Sequence, residues 1–253
     1  MMSKSFIELN PQSRSSLILL GEHAGFGIPE SYNKMGVDPL VFRRDPNFGG
    51  DKGVRRILFR AAKELGLPAV MGRQSRILVD LNRSTDHPQL FCETQHGVDV
   101  PRNKNLSEAE KQLRLDLYYW PFHHQVEKRI AQSLNAEGKG GSLLTIHSYT
   151  PDVAQKAMAK EDAPFTEVDV GILYTRESPL LEKLDVFLKT ETDYSFAHNY
   201  PYDLKKLKSG SIEMHQQKNG TAGVALEINV KKLLSVQDQD RWADTIIRFL
   251  RSL

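Results

Sequence analysis

The sequence predicts an α/β domain around a largely parallel or mixed sheet. Two observations carry that expectation. Short apolar runs alternate along the chain with longer segments of helical periodicity, the pattern of strands joined by helices. There is also no internal repeat, low-complexity tract or Pro/Ser-rich linker in the 253 residues, so one domain over residues 1–253, with a core from about 16 to 250, is the expected organisation.

The elements follow in order. Ser16 to Leu20 is a continuous apolar run, as expected of a buried strand. A loop rich in Gly, Pro and Asn runs from Gly21 to Gly50. Asp51 to Leu65 reads as a helix, with Asp51 as its N-cap, Val54, Ile57, Leu58, Ala61, Ala62 and Leu65 as its stripe, and Gly66 as its stop. Ala69–Gly72 and Ile77–Asp80 are strand candidates, and a polar segment follows from Ser84 to Asn105. A long helix from Leu106 to about Ala136 opens on a capping-box pattern, Ser107 with Glu110, and Pro121 should kink or divide it. Ser142–His147, Val168–Thr175 and Gly223–Val230 read as strands. Pro179–Lys189 and about Gln237 to Leu250 read as helices.

Composition narrows the function classes. With 34 Lys+Arg against 32 Asp+Glu, the chain lacks the basic excess usual for nucleic-acid binding. Lys205, Lys206 and Lys208 form a local basic cluster, read as a solvated loop rather than a phosphate grip. No apolar run reaches the length of a membrane span, and Met1 to Gln12 lacks a signal core. The single Cys92 excludes an internal disulfide and a four-cysteine metal site, and a reducing cytoplasm is the simplest setting. Dinucleotide, P-loop and nucleophile-elbow motifs are missing.

In such sheets ligands bind beyond the carboxyl ends of the strands. His23 and His147 each end an apolar run, and two such histidines with a nearby acid suit a mononuclear zinc site. The third ligand stays open among Asp51, Glu22 and Glu30. Asp51 has a plain alternative as an N-cap, and Glu22 should point away from its neighbour His23. Glu227 lies inside Val-Ala-Leu-Glu-Ile-Asn-Val. A buried carboxylate there needs a reason, and general-base work is one. An edge strand facing solvent is the other. Arg83 and Asn82 at a strand end, with Arg76 nearby, can grip a carboxylate, unless Arg83 only pairs with Asp80. Of His123 and His124, adjacent on a helix, at most one should reach a pocket. His87, His96, His198 and His215 carry little signal in loop-like context, and nothing marks Cys92 as a nucleophile.

Four motifs in order resemble the N-formylglutamate amidohydrolase family: Gly21-Glu22-His23-Ala24, Ser75 through Arg83, Ile146 through Pro151, and Leu226-Glu227-Ile228. The resemblance implies a three-layer α/β/α fold like that of the zinc carboxypeptidases and the aspartoacylase group, with a mixed eight-stranded sheet. It implies one zinc ion on His23 and His147. The usual His-x-x-Glu spacing is broken by Phe26, and the resemblance favours Asp51 as third ligand. It implies Glu227 as general base, Asn82 and Arg83 as the carboxylate grip, and His123 over His124 as a pocket residue. The implied reaction is hydrolysis of an N-formyl or other N-acyl amino acid by zinc-activated water. A non-catalytic binder of small acidic ligands, or a zinc peptidase or deacylase with another substrate, is the alternative. Oligomeric state is not readable.

Overall fold

A computed structural model describes residues 5–133, 141–159, 164–207 and 210–253. Lys208 of the basic cluster and the expected last turn of the long helix, to Ala136, lie outside the described residues.

The strands are β1 (Phe6–Leu9), β2 (Leu17–Gly21), β3 (Ala69–Gly72), β4 (Thr94–Gln95), β5 (Val98–Asp99), β6 (Ser142–Tyr149), β7 (Val170–Leu173), β8 (Phe196–His198) and β9 (Gly223–Asn229). The helices are α1 (Pro39–Arg44), α2 (Val54–Leu65), α3 (Glu108–Arg114), α4 (Trp120–Gln132), α5 (Pro151–Ala159), α6 (Pro179–Glu191), α7 (Leu204–Leu207), α8 (Ser211–Asn219) and α9 (Val236–Arg251).

Among the described residues seven strands, not the eight that the resemblance implies, form one sheet in the order β1-β3-β2-β6-β9-β7-β8. β1–β3 and β7–β9 are antiparallel and the other neighbours parallel, so the sheet is mixed and mostly parallel, as expected. The alternation of side chains along a strand divides the core. Leu19, Leu144, Ile146, Val224, Leu226 and Ile228 face one layer, where α2, α6 and α9 bury Leu58, Leu184 and Trp242. Ile18, Leu20 and Leu143 face the other, against Phe122, Val126 and Ile130 of α4. Helices therefore cover both faces.

The helix stripe read from the sequence is the buried face of α2, and Gly66 ends it in a left-handed C-cap. The helix starts at Val54 rather than Asp51, however, with Gly53 as N-cap. Ser107 caps α3 by accepting from Glu110 N–H at 3.2 Å, while the Glu110 carboxylate turns instead to Arg114 Nε at 2.8 Å. The break expected near Pro121 is a π-helical turn, Leu115–Tyr119, that places the proline in the first turn of α4, where its missing N–H costs little.

Ile77–Asp80 is not a strand. Its apolar residues split between two core clusters, and its backbone is satisfied from elsewhere. Asn103 Nδ2 donates to Ile77 O at 2.8 Å and Arg114 Nη1 to Leu78 O at 3.1 Å. A short apolar run does not by itself say which partner its peptide groups find. No helix among the described residues is long and apolar enough to cross a membrane.

Candidate metal centre and active site

The order of strands reverses at β2, whose sequence neighbour β3 lies on one side and β6 on the other. Such a switch point opens a crevice at the carboxyl ends of the strands. His23 follows β2 there, and His147 lies near the end of β6. Gly49 adopts φ 85°, and a Cβ on Gly50 would come within 2.7 Å of Gly25 O. This tight passage delivers Asp51, whose N–H donates to His23 O at 2.9 Å.

His23, Asp51 and His147 are all buried, and one ligand atom from each lies within 4.8 Å of the others. Asp51 Oδ2 is 2.9 Å from His147 Nδ1 and 3.7 Å from His23 Nδ1. The far nitrogen of each ring meets a carboxylate: His23 Nε2 lies 2.6 Å from Asp80 Oδ1, and His147 Nε2 lies 3.2 Å from Glu22 Oε2. Carboxylates behind imidazoles are what orients metal-binding histidines and selects their tautomers. The donor set and its backing therefore fit a metal ion.

Glu22 thus stands behind His147 rather than beside His23, fixed also by Ser211 Oγ and by Thr145 Oγ1 at 2.7 Å. Burial raises its pKa, but the bonds from His147, Ser211 and Thr145 outweigh that and hold it well below the usual carboxylate range. Burial likewise opposes ionisation of Asp51 and Asp80. Arg76, His147 and His23 keep Asp51 charged, and His23, Arg83 and Arg76 keep Asp80 charged. His147 is raised well above its ordinary value, because Asp51 and Glu22 overcome its burial. Glu30 begins a separate 3-10 turn and is exposed.

Glu227 is on a central strand, so the edge-strand alternative falls. β9 lies between β6 and β7, and its register sets Glu227 beside His147. Burial, with Asp51 nearby, pushes its carboxyl up to about 7 against the pull of His147 and Arg76.

One cavity of about 310 Å³ is lined by His23, Asp51, His147, Glu227, Arg76, Asn82 and Arg83, among others. Arg76 Nη2 donates to Asp51 Oδ1 at 2.8 Å and touches His23 Nδ1. Arg83 forms no salt bridge among the described residues; its Nη1 donates to Asn82 O at 3.1 Å, and its buried Nε has no partner. Asn82 Oδ1 accepts from Ser211 N–H at 2.8 Å.

A family model described as N-formylglutamate amidohydrolase matches residues 15–234. The chain belongs to the N-formylglutamate amidohydrolase family.

By family it is therefore an amidohydrolase. The crystal structure of a gene product from Agrobacterium tumefaciens is similar, 25% identical over 99% of this chain and 94% of that one, with a TM-score of 0.84. An N-formylglutamate amidohydrolase from Ralstonia eutropha is 19% identical over 99% of this chain and 98% of that one, at a TM-score of 0.76, and shares the fold. A metallo-carboxypeptidase from Burkholderia cenocepacia, 11% identical over 98% of this chain and 61% of that one at a TM-score of 0.39, is too distant to carry an argument. No curated protein matches the chain.

Other histidines fall differently from the expectation. His123 does not line the cavity of this amidohydrolase. It is buried on α4 with Nδ1 3.2 Å from Nε2 of His215, which lies on α8 rather than in a loop. Burial lowers both rings, His123 to about 3 and His215 to about 4. His96, a loop histidine without a sequence mark, does line the cavity, with Nδ1 2.5 Å from Asp45 Oδ2. Tyr202 also lines it, and no motif pointed to it. Cys92 is buried, which pushes its thiol up to about 12 and away from nucleophilic chemistry.

Proposed function

We propose that the protein is a zinc-dependent amidohydrolase that removes an N-formyl or other small N-acyl group from an amino acid. The observation that carries this reading is the meeting of His23, Asp51 and His147 in the wall of a cavity that also holds Glu227, Arg76 and Arg83. Two imidazoles and one carboxylate are a donor set of catalytic zinc, and a nitrogen-rich set argues against magnesium or calcium. A bound ion would supply Lewis-acid polarisation of a carbonyl and acidify water.

The chain's own residues do the rest. Arg83 and the Asn82 amide take the substrate's α-carboxylate, Arg83 through a guanidinium free of salt bridges among the described residues. Anchoring the carboxylate orients the scissile amide toward the His23–His147 end of the cavity. Arg76 brings a second cation to that end, where the amide oxygen gains negative charge. Glu227 takes the proton of the attacking water and returns it to the leaving amine, a role suited to a carboxyl near pH 7.

Metal analysis of the purified protein, with N-formyl amino acid hydrolysis before and after chelation, tests the reading. Glu227→Gln should keep its metal and lose turnover by about 10²–10⁴-fold. A wild-type rate in that variant would remove Glu227 from the base position.

A second reading has one observation in its favour. Arg76 reaches the same atoms, His23 Nδ1 and Asp51 Oδ1, that a metal would use. A binder of small acidic ligands could rest on that guanidinium without an ion. Stoichiometric metal excludes this reading, and metal-free protein that binds N-acyl amino acids without cleaving them supports it.

A further inference from the structure

Asp45 and His96 form a pair that the proposed chemistry does not use. Asp45 is the C-cap of α1, and His96 sits at the tip of the β4–β5 hairpin with its Nδ1 2.5 Å from Asp45 Oδ2. His96 lines the same cavity as Glu227 and Arg83. We propose that His96, oriented by Asp45 and joined by Thr150, binds the side-chain carboxylate of the substrate and so sets which amino acid is accepted. The inference rests on the amidohydrolase reading above.

The chain is shaped to hold the ring there. His96 and Gly97 join β4 to β5 as a two-residue turn, at φ 50° and 80°. Asn-Gly is the usual pair in such a turn, and a histidine in the first place gives up that ease for an imidazole. Phe48 packs edge-on to the ring, with centroids 6.4 Å apart at 80°. Asp45 Oδ1 accepts from Asn47 N–H at 2.9 Å. Burial opposes ionisation of Asp45, but the bonds from His96, Asn47 and Phe48 outweigh it and hold the carboxyl below its ordinary value. Asp45 takes Nδ1, so Nε2 is the nitrogen left for the cavity. As an imidazolium the ring donates from both nitrogens, one N–H to Asp45 and the other to an incoming carboxylate.

Two hydrogen-bonded chains leave the two nitrogens of His147. From Nε2 one runs through Glu22 and Ser211 to Asn82. From Nδ1 the other runs through Asp51, Ser148 and Asn47 to Asp45, which holds His96. The α-carboxylate grip and His96 thus stand on different sides of the His147 ring. In an amino acid the carboxylate and the side chain diverge from one carbon. A substrate held at Asn82 and Arg83 therefore sends its side chain toward His96.

Thr150 supplies a second donor. It follows Ser148 by two residues and lines the cavity too. Its Oγ1 is buried and has no hydrogen-bond partner among the described residues. An unpaired buried hydroxyl is costly, and a carboxylate oxygen would satisfy it. The two oxygens of one carboxylate can accept from His96 and Thr150 together. A glutamine side chain of the same shape would set its NH₂ against one of these donors.

The test measures kcat/KM for N-formyl-L-glutamate and N-formyl-L-glutamine with the metal-loaded protein and its variants. The wild type should favour the glutamate derivative at least about tenfold. His96→Asn keeps a residue that tolerates the positive φ. It should lower the glutamate-to-glutamine ratio by about tenfold or more, the loss of a charge-assisted bond. Asp45→Asn and Thr150→Val should each lower the ratio about 3–10-fold. If thermal unfolding shows that His96→Asn is not folded, these two variants carry the test. An unchanged ratio in the folded variants, an equal loss on both substrates, or a wild type without preference overturns the proposal. If neither substrate is cleaved, the amidohydrolase reading falls, and calorimetry with free L-glutamate and L-glutamine decides the subsite. Tighter binding of glutamate that His96→Asn abolishes upholds it, and any other result overturns it.

Discussion

His23 Nε2 lies 2.6 Å from Asp80 Oδ1, so the carboxylate holds that side of the ring and leaves Nδ1, which Arg76 Nη2 touches, 3.7 Å from Asp51 Oδ2. The two residues are 57 positions apart, and Asp80 reaches His23 because the chain just before it is tied to the loop after β2, with Ser75 N–H donating to Gly27 O at 2.8 Å and Arg76 N–H to Gly49 O at 2.9 Å.

Asp80→Ala should therefore weaken metal binding by about 10–100-fold while leaving the fold intact. Competition against a chromophoric chelator reads the affinity. An unchanged value would place His23 outside the metal's ligands.

Arg83→Ala should raise KM for an N-formyl amino acid far more than it lowers kcat. A charge-assisted hydrogen bond is worth about 1.5–3 kcal/mol, which corresponds to roughly 10–100-fold. Arg83→Lys should recover only part of this, because an ammonium cannot make two parallel bonds to a carboxylate. Steady-state kinetics across the three proteins decides it; a kcat effect with constant KM would move Arg83 from binding to chemistry.

The buried His123–His215 pair makes stability depend on pH. Burial holds both rings neutral, at about 3 and about 4, whereas an unfolded histidine titrates near 6.5. Between about pH 4 and 6.5 the unfolded chain binds protons that the folded chain refuses, so stability falls as the pH drops through that window. Denaturant unfolding should show a loss of roughly 2–4 kcal/mol from pH 7 to pH 5 for the two rings together. The loss should shrink by about half in His215→Gln. The same slope in both proteins would contradict a neutral pair.

Asn103 anchors the segment that leads to the site. Its Nδ2 donates to Ile77 O at 2.8 Å and Cys92 O at 2.7 Å, and its Oδ1 accepts from Arg114 Nη1 at 2.6 Å. Asn103→Ala strands these buried groups and should cost about 2–4 kcal/mol, since each unsatisfied group is worth about 1–3 and the losses overlap. Thermal unfolding measures the cost, and a change under about 0.5 kcal/mol would mean that water replaces the amide.

Local pattern was enough for much of this molecule. The run Ser16–Leu20, the stripe of α2 and its Gly66 stop, the Ser107 cap and the break before Pro121 all depend on residues within a turn or two of one another, so periodicity and capping chemistry reveal them. His23 and His147 were legible as strand ends, and Glu227 as a carboxylate in an apolar run. What those residues do to one another was not legible. Asp51 looks like a helix cap until the Gly49-Gly50 passage sets it against His147, 96 positions away. Glu22 was expected to point away from the site, and only strand pairing sets it behind His147. Ile77–Asp80 is apolar enough for a strand, yet Asn103 and Arg114 take its carbonyls. Short-range order follows from the propensities of neighbouring residues, but a site is made of side chains far apart in the chain, and only the register of the sheet and the packing of helices on it decide which of them meet.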